Sequence, residues 1–132
     1  PIVEKRKADL IVGFEELEVL RNLDYLRDDG QGIVIFNRVR VNPIGVQMGK
    51  DKYPTNSEEL IHARAGKLIG LDAQAEAREL GNPRVMNIIL LGVLIRELGL
   101  EHIDWNHIIA QNVKEKYVSL NQQALQAGLN LE

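Results

Sequence analysis

The 132 residues contain no cysteine. That excludes a disulfide framework, thiolate zinc sites, a cysteine nucleophile and any iron–sulfur cluster held by thiolates of this chain. A surplus of positive charge is missing too. Sixteen Lys and Arg stand against 19 Asp and Glu, a formal net charge of −3. A general polyanion binder neutralises phosphates with a basic surplus, so no nucleic-acid partner is expected. Aromatic residues make up only 5%, and Trp105 and Tyr117 are too isolated to form a base-stacking platform. The most apolar stretch, Val85 to Ile95, is about half the ~20 residues that span a bilayer. Asn87 and Gly92 interrupt it, so a buried helix is expected there and no membrane anchor. No secretory leader pattern opens the chain, and a cytoplasmic setting is the expectation.

Several chemical signatures are absent as well. No G-x-S-x-G and no G-x-G-x-x-G occurs. Asp29-Gly30-Gln31-Gly32 lacks the lysine, the Ser/Thr and the following helix of a phosphate loop, so it reads as a connecting turn. The histidines are His62, His102 and His107. The last two are five apart, whereas a helical metal pair needs three or four, and no third ligand sits at suitable spacing. No metal site is expected.

What remains is an ordinary globular composition, 45% hydrophobic and 27% charged. The length suits one domain covering 1–132. Ala8 to Phe14 is a compact apolar run ending near a glycine, as in a strand buried on both faces. From Glu15 to Arg27, Leu17, Leu20, Leu23 and Leu26 recur every three residues and predict a helix. After the Asp28–Gly32 turn, Ile33 to Phe36 predicts a second buried strand, and strand–helix–strand implies a right-handed crossover in a parallel sheet. Asn37 to Tyr53, with Pro43 and Gly45, predicts an irregular extended segment. Thr55-Asn56-Ser57-Glu58-Glu59 offers overlapping N-caps in a capping-box pattern for a helix towards Ala65. Lys67 to Leu71 predicts a strand, and Asp72 caps a helix that stops at Gly81-Asn82-Pro83. Arg84 to Leu98 predicts a helix apolar nearly all round, buried against the sheet or another subunit. Gly99 ends it, Asp104 caps a helix towards Lys114, and Val118 to Ala127 forms a last amphipathic helix. The predicted fold is α/β, with a helical C-terminal segment.

Among polar residues, Glu15, Glu16 and Glu18 crowd one helix start, where acids are favoured electrostatically. Glu18 and Arg21 can pair at i, i+3. Glu15, however, follows directly on a predicted strand, where open α/β sheets collect ligands. Asn87 lies inside the apolar run, where an unpartnered amide would cost ~1–3 kcal/mol, so a buried hydrogen bond is expected for it.

Several segments then line up with one family. Ala8-Asp9-Leu10-Ile11-Val12-Gly13-Phe14-Glu15-Glu16-Leu17-Glu18-Val19-Leu20-Arg21 resembles a stretch of the small subunit of indolepyruvate:ferredoxin oxidoreductases. Asp72 to Met86, then Asn87 and the run to Gly92, is similar to a second block of that subunit. Tyr53-Pro54 and Asn121 to Gly128 are similar to further positions. The resemblance covers nearly the whole chain. It implies a three-layer α/β/α, Rossmann-like gamma domain in a complex that oxidatively decarboxylates 2-oxoacids. The E-x-x-E-x-x-R spacing at Glu15, Glu18 and Arg21 resembles the indolepyruvate type, which converts arylpyruvates to arylacetyl-CoA, more than the pyruvate type. The resemblance also implies a large-subunit partner, ferredoxin as acceptor, and thiamine diphosphate, coenzyme A and iron–sulfur clusters in the complex. None of these is expected to be bound by this chain.

The family's opening strand and glycine-rich turn have no counterpart here, so the chain reads as the C-terminal two-thirds of such a domain. No catalytic residue carries over. The residues expected to shape a site or a subunit contact are Glu15, Glu18, Arg21, Asn82 and Asn87. Alone, the chain is expected to be inactive and to self-associate. If a central strand is absent, a groove of unpaired backbone should lie among strands such as Leu10–Val12 and Ile33–Ile35. A stand-alone α/β module that binds a ligand or nucleotide is the alternative reading.

Overall fold

The computed structural model describes residues 2–38 and 56–132. Most of the extended segment predicted for 37–53, and Tyr53-Pro54, lie outside the described residues. The chain divides into two compact units, Pro1–Leu71 and Asp72–Glu132.

The first unit carries the sheet. Strands β1 (Leu10–Gly13), β2 (Ile33–Asn37) and β3 (Lys67–Leu71) lie in that order and pair in parallel. Helices α1 (Glu16–Asn22) and α2 (Ser57–Arg64) belong to the same unit. Leu10 pairs with Ile33 and Val12 with Ile35, so the groove expected between these two strands does not exist. The sheet is continuous there, and among the described residues β1 forms its edge. Edge position also explains a second difference. Leu10, Ile11 and Val12 are half-buried, whereas central β2 is buried from Val34 to Asn37.

The long helix expected over Glu15–Arg27 is broken. Helix α1 ends at Asn22, and Leu23–Tyr25 forms a turn of 3-10 helix. The leucine spacing contains the reason: a strict repeat of three matches the 3.0 residues per turn of a 3-10 helix as well as it matches 3.6. Leu26 then packs fully buried with Val19, Val34, Phe36, Ile61 and Ala65.

The capping box at α2 is corrected too. Asn56 occupies the N-cap position but makes no side-chain capping bond. Ser57 has been drawn into the core, where its hydroxyl serves Glu16. Between β1 and β2, the turn forms as predicted: Asp29 Oδ1 accepts from the Gln31 amide at 3.1 Å, and Gly30 takes φ +73°.

The second unit is helical, as expected: α3 (Ala73–Glu79), α4 (Met86–Glu97), α5 (Trp105–Asn112) and α6 (Glu115–Asn130). Asp72 caps α3 by accepting from Ala75 N at 2.9 Å, and Asp104 caps α5 by accepting from His107 N at 3.1 Å. Gly81 and Gly99 adopt φ +90° and +66°, the left-handed geometry that ends helices. Ile95, Ile109 and Leu125 form the buried cluster of this unit. Helices α4 and α6 cross so closely at Gly92 and Gly128 that a Cβ on either would collide with backbone of the other helix. Among the described residues, no helix is long and apolar enough to cross a membrane.

Candidate functional site

In the first unit, polar side chains gather where β1 hands over to α1. A Cβ at Gly13 would strike the Val19 side chain, so glycine permits this tight passage from strand to helix. Phe14 follows, 51% exposed. Glu15 stands at the N-cap of α1 in extended geometry, with no side-chain capping bond. Glu18 and Asn22 lie one and two turns further on. Together Ile11, Val12, Phe14, Glu15, Glu18 and Asn22 line a cleft of about 280 Å³. Arg21 reaches Glu18 as an exposed ion pair, the predicted i, i+3 partner. Three of the sequence candidates are therefore brought to one strand-to-helix junction.

Glu16 was missed as a buried residue. It is 2% exposed and accepts a hydrogen bond from the buried Ser57 hydroxyl. A signal for it existed. Glu16, Val19, Leu20 and Leu23 are spaced i, i+3, i+4, i+7, which puts Glu16 on the core face.

Asn82 belongs to the second unit. Its Oδ1 accepts from the Arg84 amide at 2.9 Å, capping the 3-10 turn Pro83–Val85 that leads into α4. With Arg84, Val85, Tyr117, Leu120 and Asn121 it lines a cavity of about 180 Å³. Arg84 was not singled out from the sequence, Tyr117 was weighed only as a stacking ring, and Asn121 entered only through the resemblance.

Asn87 overturns its expectation. It is exposed, not buried in the apolar run. Positions 87, 91, 94 and 98 share one helical face at i, i+4, i+7 and i+11, and Leu98 on that face is 49% exposed. The buried side of α4 is Ile89, Leu90, Gly92, Val93 and Ile95. The helix is apolar nearly all round, as expected, but only one side of it is fully buried among the described residues.

The junction in the first unit presents an exposed aromatic ring beside carboxylates, an arrangement for contact; no nucleophile–base pair stands there. No group of three or more His, Asp or Glu among the described residues is placed to hold a metal ion.

Known proteins share this arrangement of elements. An indolepyruvate oxidoreductase subunit of Pyrococcus horikoshii is 33% identical over 135 residues, covering 97% of this chain and 65% of that protein. Its counterpart in Thermococcus kodakarensis is 32% identical over 133 residues, again covering 97% of this chain and 65% of the relative. The chain thus spans somewhat less than two-thirds of the length of the curated relatives it matches. The crystal structure of a keto/oxoacid ferredoxin oxidoreductase gamma subunit from Geobacter sulfurreducens superposes with a TM-score of 0.63. It covers 91% of this chain and 61% of that one at 16% identity, and so shows the shared fold. The pyruvate ferredoxin/flavodoxin oxidoreductase family matches residues 1–131, across both compact units. The chain belongs to the pyruvate ferredoxin/flavodoxin oxidoreductase family.

Proposed function

We propose that this chain is part of the small subunit of an indolepyruvate-type 2-oxoacid:ferredoxin oxidoreductase. The observation that carries this reading is likeness along 97% of the chain to two subunits named for that activity. Likeness of that extent favours a subunit role over a stand-alone ligand-binding module. A large partner subunit would carry out the oxidative decarboxylation, with ferredoxin receiving the electrons in a cytoplasmic complex. An iron–sulfur cluster does not fit this chain, which offers no thiolate donor. In this reading the clusters, thiamine diphosphate and coenzyme A belong to the partner.

In this reading the chain's own residues supply contact surface. Exposed Phe14 with Glu15 and the Glu18–Arg21 pair form one patch. Asn82 and the exposed Asn87 supply polar contacts from the second unit. Without the partner the chain is inactive and self-associates through the open edge of β1.

Co-purification of the intact small subunit with the large subunit tests the reading, followed by arylpyruvate-dependent dye reduction. Association with activity only in the complex is the expected result. No association, or arylpyruvate-dependent reduction by this chain alone, would overturn it.

A further inference from the structure

The cavity beside Asn82 has a polarity that its capping role does not require. Asn82 spends its Oδ1 on the Arg84 amide at 2.9 Å, which leaves the Nδ2 hydrogens as donors. Asn121 spends its Nδ2 on the Tyr117 carbonyl at 2.8 Å, which leaves Oδ1 as an acceptor. Tyr117 lines the same space and is 39% exposed. Arg84 also lines it, and its guanidinium has no ion pair or hydrogen bond among the described residues. Lys116, outside the lining, holds its Nζ 5.0 Å from the centre of the Tyr117 ring. Val85, Val113 and Leu120 supply the apolar part of the lining.

An uncompensated guanidinium, an amide donor and a phenol around an apolar lining suit a carboxylate with a short aliphatic tail. A guanidinium binds carboxylate through charge-assisted, often bidentate bonds. Among the residues lining this cavity, Arg84 is the one with a charged side chain. The volume of about 180 Å³ decides the size of the guest. It falls below the ~300–1,000 Å³ of pockets that bury a drug-sized molecule. We infer that this cavity binds a short aliphatic monocarboxylate, with Arg84, Asn82 and Tyr117 holding the carboxylate and Val85, Val113 and Leu120 the tail. The assignment is independent of the oxidoreductase reading, because it rests on the cavity alone.

The probe is butyrate, titrated into the isotope-labelled full chain and followed by nuclear magnetic resonance. Butyramide serves as the uncharged isostere. The side-chain amide signals of Asn82 and Asn121 should shift saturably with butyrate, and butyramide should bind about tenfold more weakly. Arg84→Gln should weaken butyrate by about tenfold, with the circular dichroism spectrum unchanged because Arg84 is exposed. Tyr117→Phe, a milder change, should weaken it severalfold and stands in if Arg84→Gln unfolds. Shifts that never saturate, equal binding of butyramide, or indifference to both substitutions would overturn the assignment. So would capture of a glutamate-bearing peptide in the cavity with no binding of butyrate.

Discussion

The buried hydroxyl of Ser57 donates to a carboxylate oxygen of Glu16, tying α2 to α1 across 41 residues of sequence. Glu16 is 2% and Ser57 0% exposed, so water cannot replace the bond. A hydrogen bond to a charged group contributes ~1.5–3 kcal/mol. Ser57→Ala is therefore expected to lower unfolding stability by about that amount. Glu16→Gln keeps an acceptor oxygen and should cost less. Urea denaturation of the two variants checks both the size and the order. An unchanged midpoint for Ser57→Ala would show that the bond contributes nothing.

That bond also marks how far the sequence was legible. The elements were: β2, β3 and the caps Asp72 and Asp104 stand where short apolar runs and capping chemistry put them, because these are local signals. The cluster of acids at α1 looked like dipole compensation, and one member, Glu16, turned out to be core. Only its spacing from Val19 could have told it apart from Glu15 and Glu18. Asn87 failed for the opposite reason. A run of apolar neighbours suggested burial, yet position on the helical face decides burial, and residue 87 lies on the outer face. The Arg84–Tyr117–Asn121 grouping was out of reach, since the turn Pro83–Val85 must pack beside α6 before those residues share one cavity.

The packing of α4 against α6 depends on two glycines. A Cβ at Gly92 would meet the Leu125 carbonyl oxygen and Gly128 Cα, and one at Gly128 would meet the Ile89 carbonyl. These are backbone atoms, so relief requires the helices to part. Overpacking of this kind costs ~1–3 kcal/mol or more, beyond the ~1 kcal/mol that alanine gains over glycine in a helix. Gly92→Ala and Gly128→Ala are each expected to lower the melting temperature. The double variant should cost less than the sum, because one separation of the helices relieves both clashes. Scanning calorimetry of the three variants checks this. A melting temperature raised by either alanine would mean that the close crossing is absent.

Acid should loosen the turn between β1 and β2. Arg27 donates to both Asp29 carboxylate oxygens, at 2.9 and 3.0 Å from Nε, and Nη1 reaches Asp9 Oδ1 at 2.7 Å. The hydrogen bond from Arg27 holds the Asp29 carboxyl below its ordinary value of 3.8. The same bond raises the Arg27 guanidinium further above its ordinary range. A carboxyl depressed on folding adds stability above its unfolded pKa, and loses it as pH falls through the folded value. The contribution is therefore complete above about pH 4 and lost below it. Arg27 stays charged throughout that window and adds no slope. Carboxyl resonances should place the Asp29 midpoint below the ordinary carboxylate value. Asp29→Asn should flatten the stability profile below pH 4. An Asp29 midpoint at the ordinary carboxylate value would show that the pair is broken in solution.

The edge of the sheet makes the last prediction. Asp9 O accepts from Ile33 N at 3.0 Å, and the register runs Leu10 to Ile33 and Val12 to Ile35. In a parallel pair, alternate residues bond to the same neighbour, so Asp9, Ile11 and Gly13 face β2. The N–H and C=O groups of Leu10 and Val12 then point away from β2, where no strand among the described residues pairs with them. The side chains there are apolar and half-buried, and the strand carries no lysine, proline or bulge to discourage pairing. The isolated chain is therefore expected to associate along this edge. Light scattering coupled to chromatography should give a mass above that of one chain at micromolar concentration. Val12→Pro sharpens the test. Proline removes an N–H that faces outward, which an edge strand tolerates, so the bonds to β2 survive while edge pairing loses a donor. The variant should shift towards the monomer with its circular dichroism spectrum intact. A monomeric parent chain with a cooperative melt would show that the open edge of β1 does not drive association, and equal association of parent and Val12→Pro would move the contact to another surface.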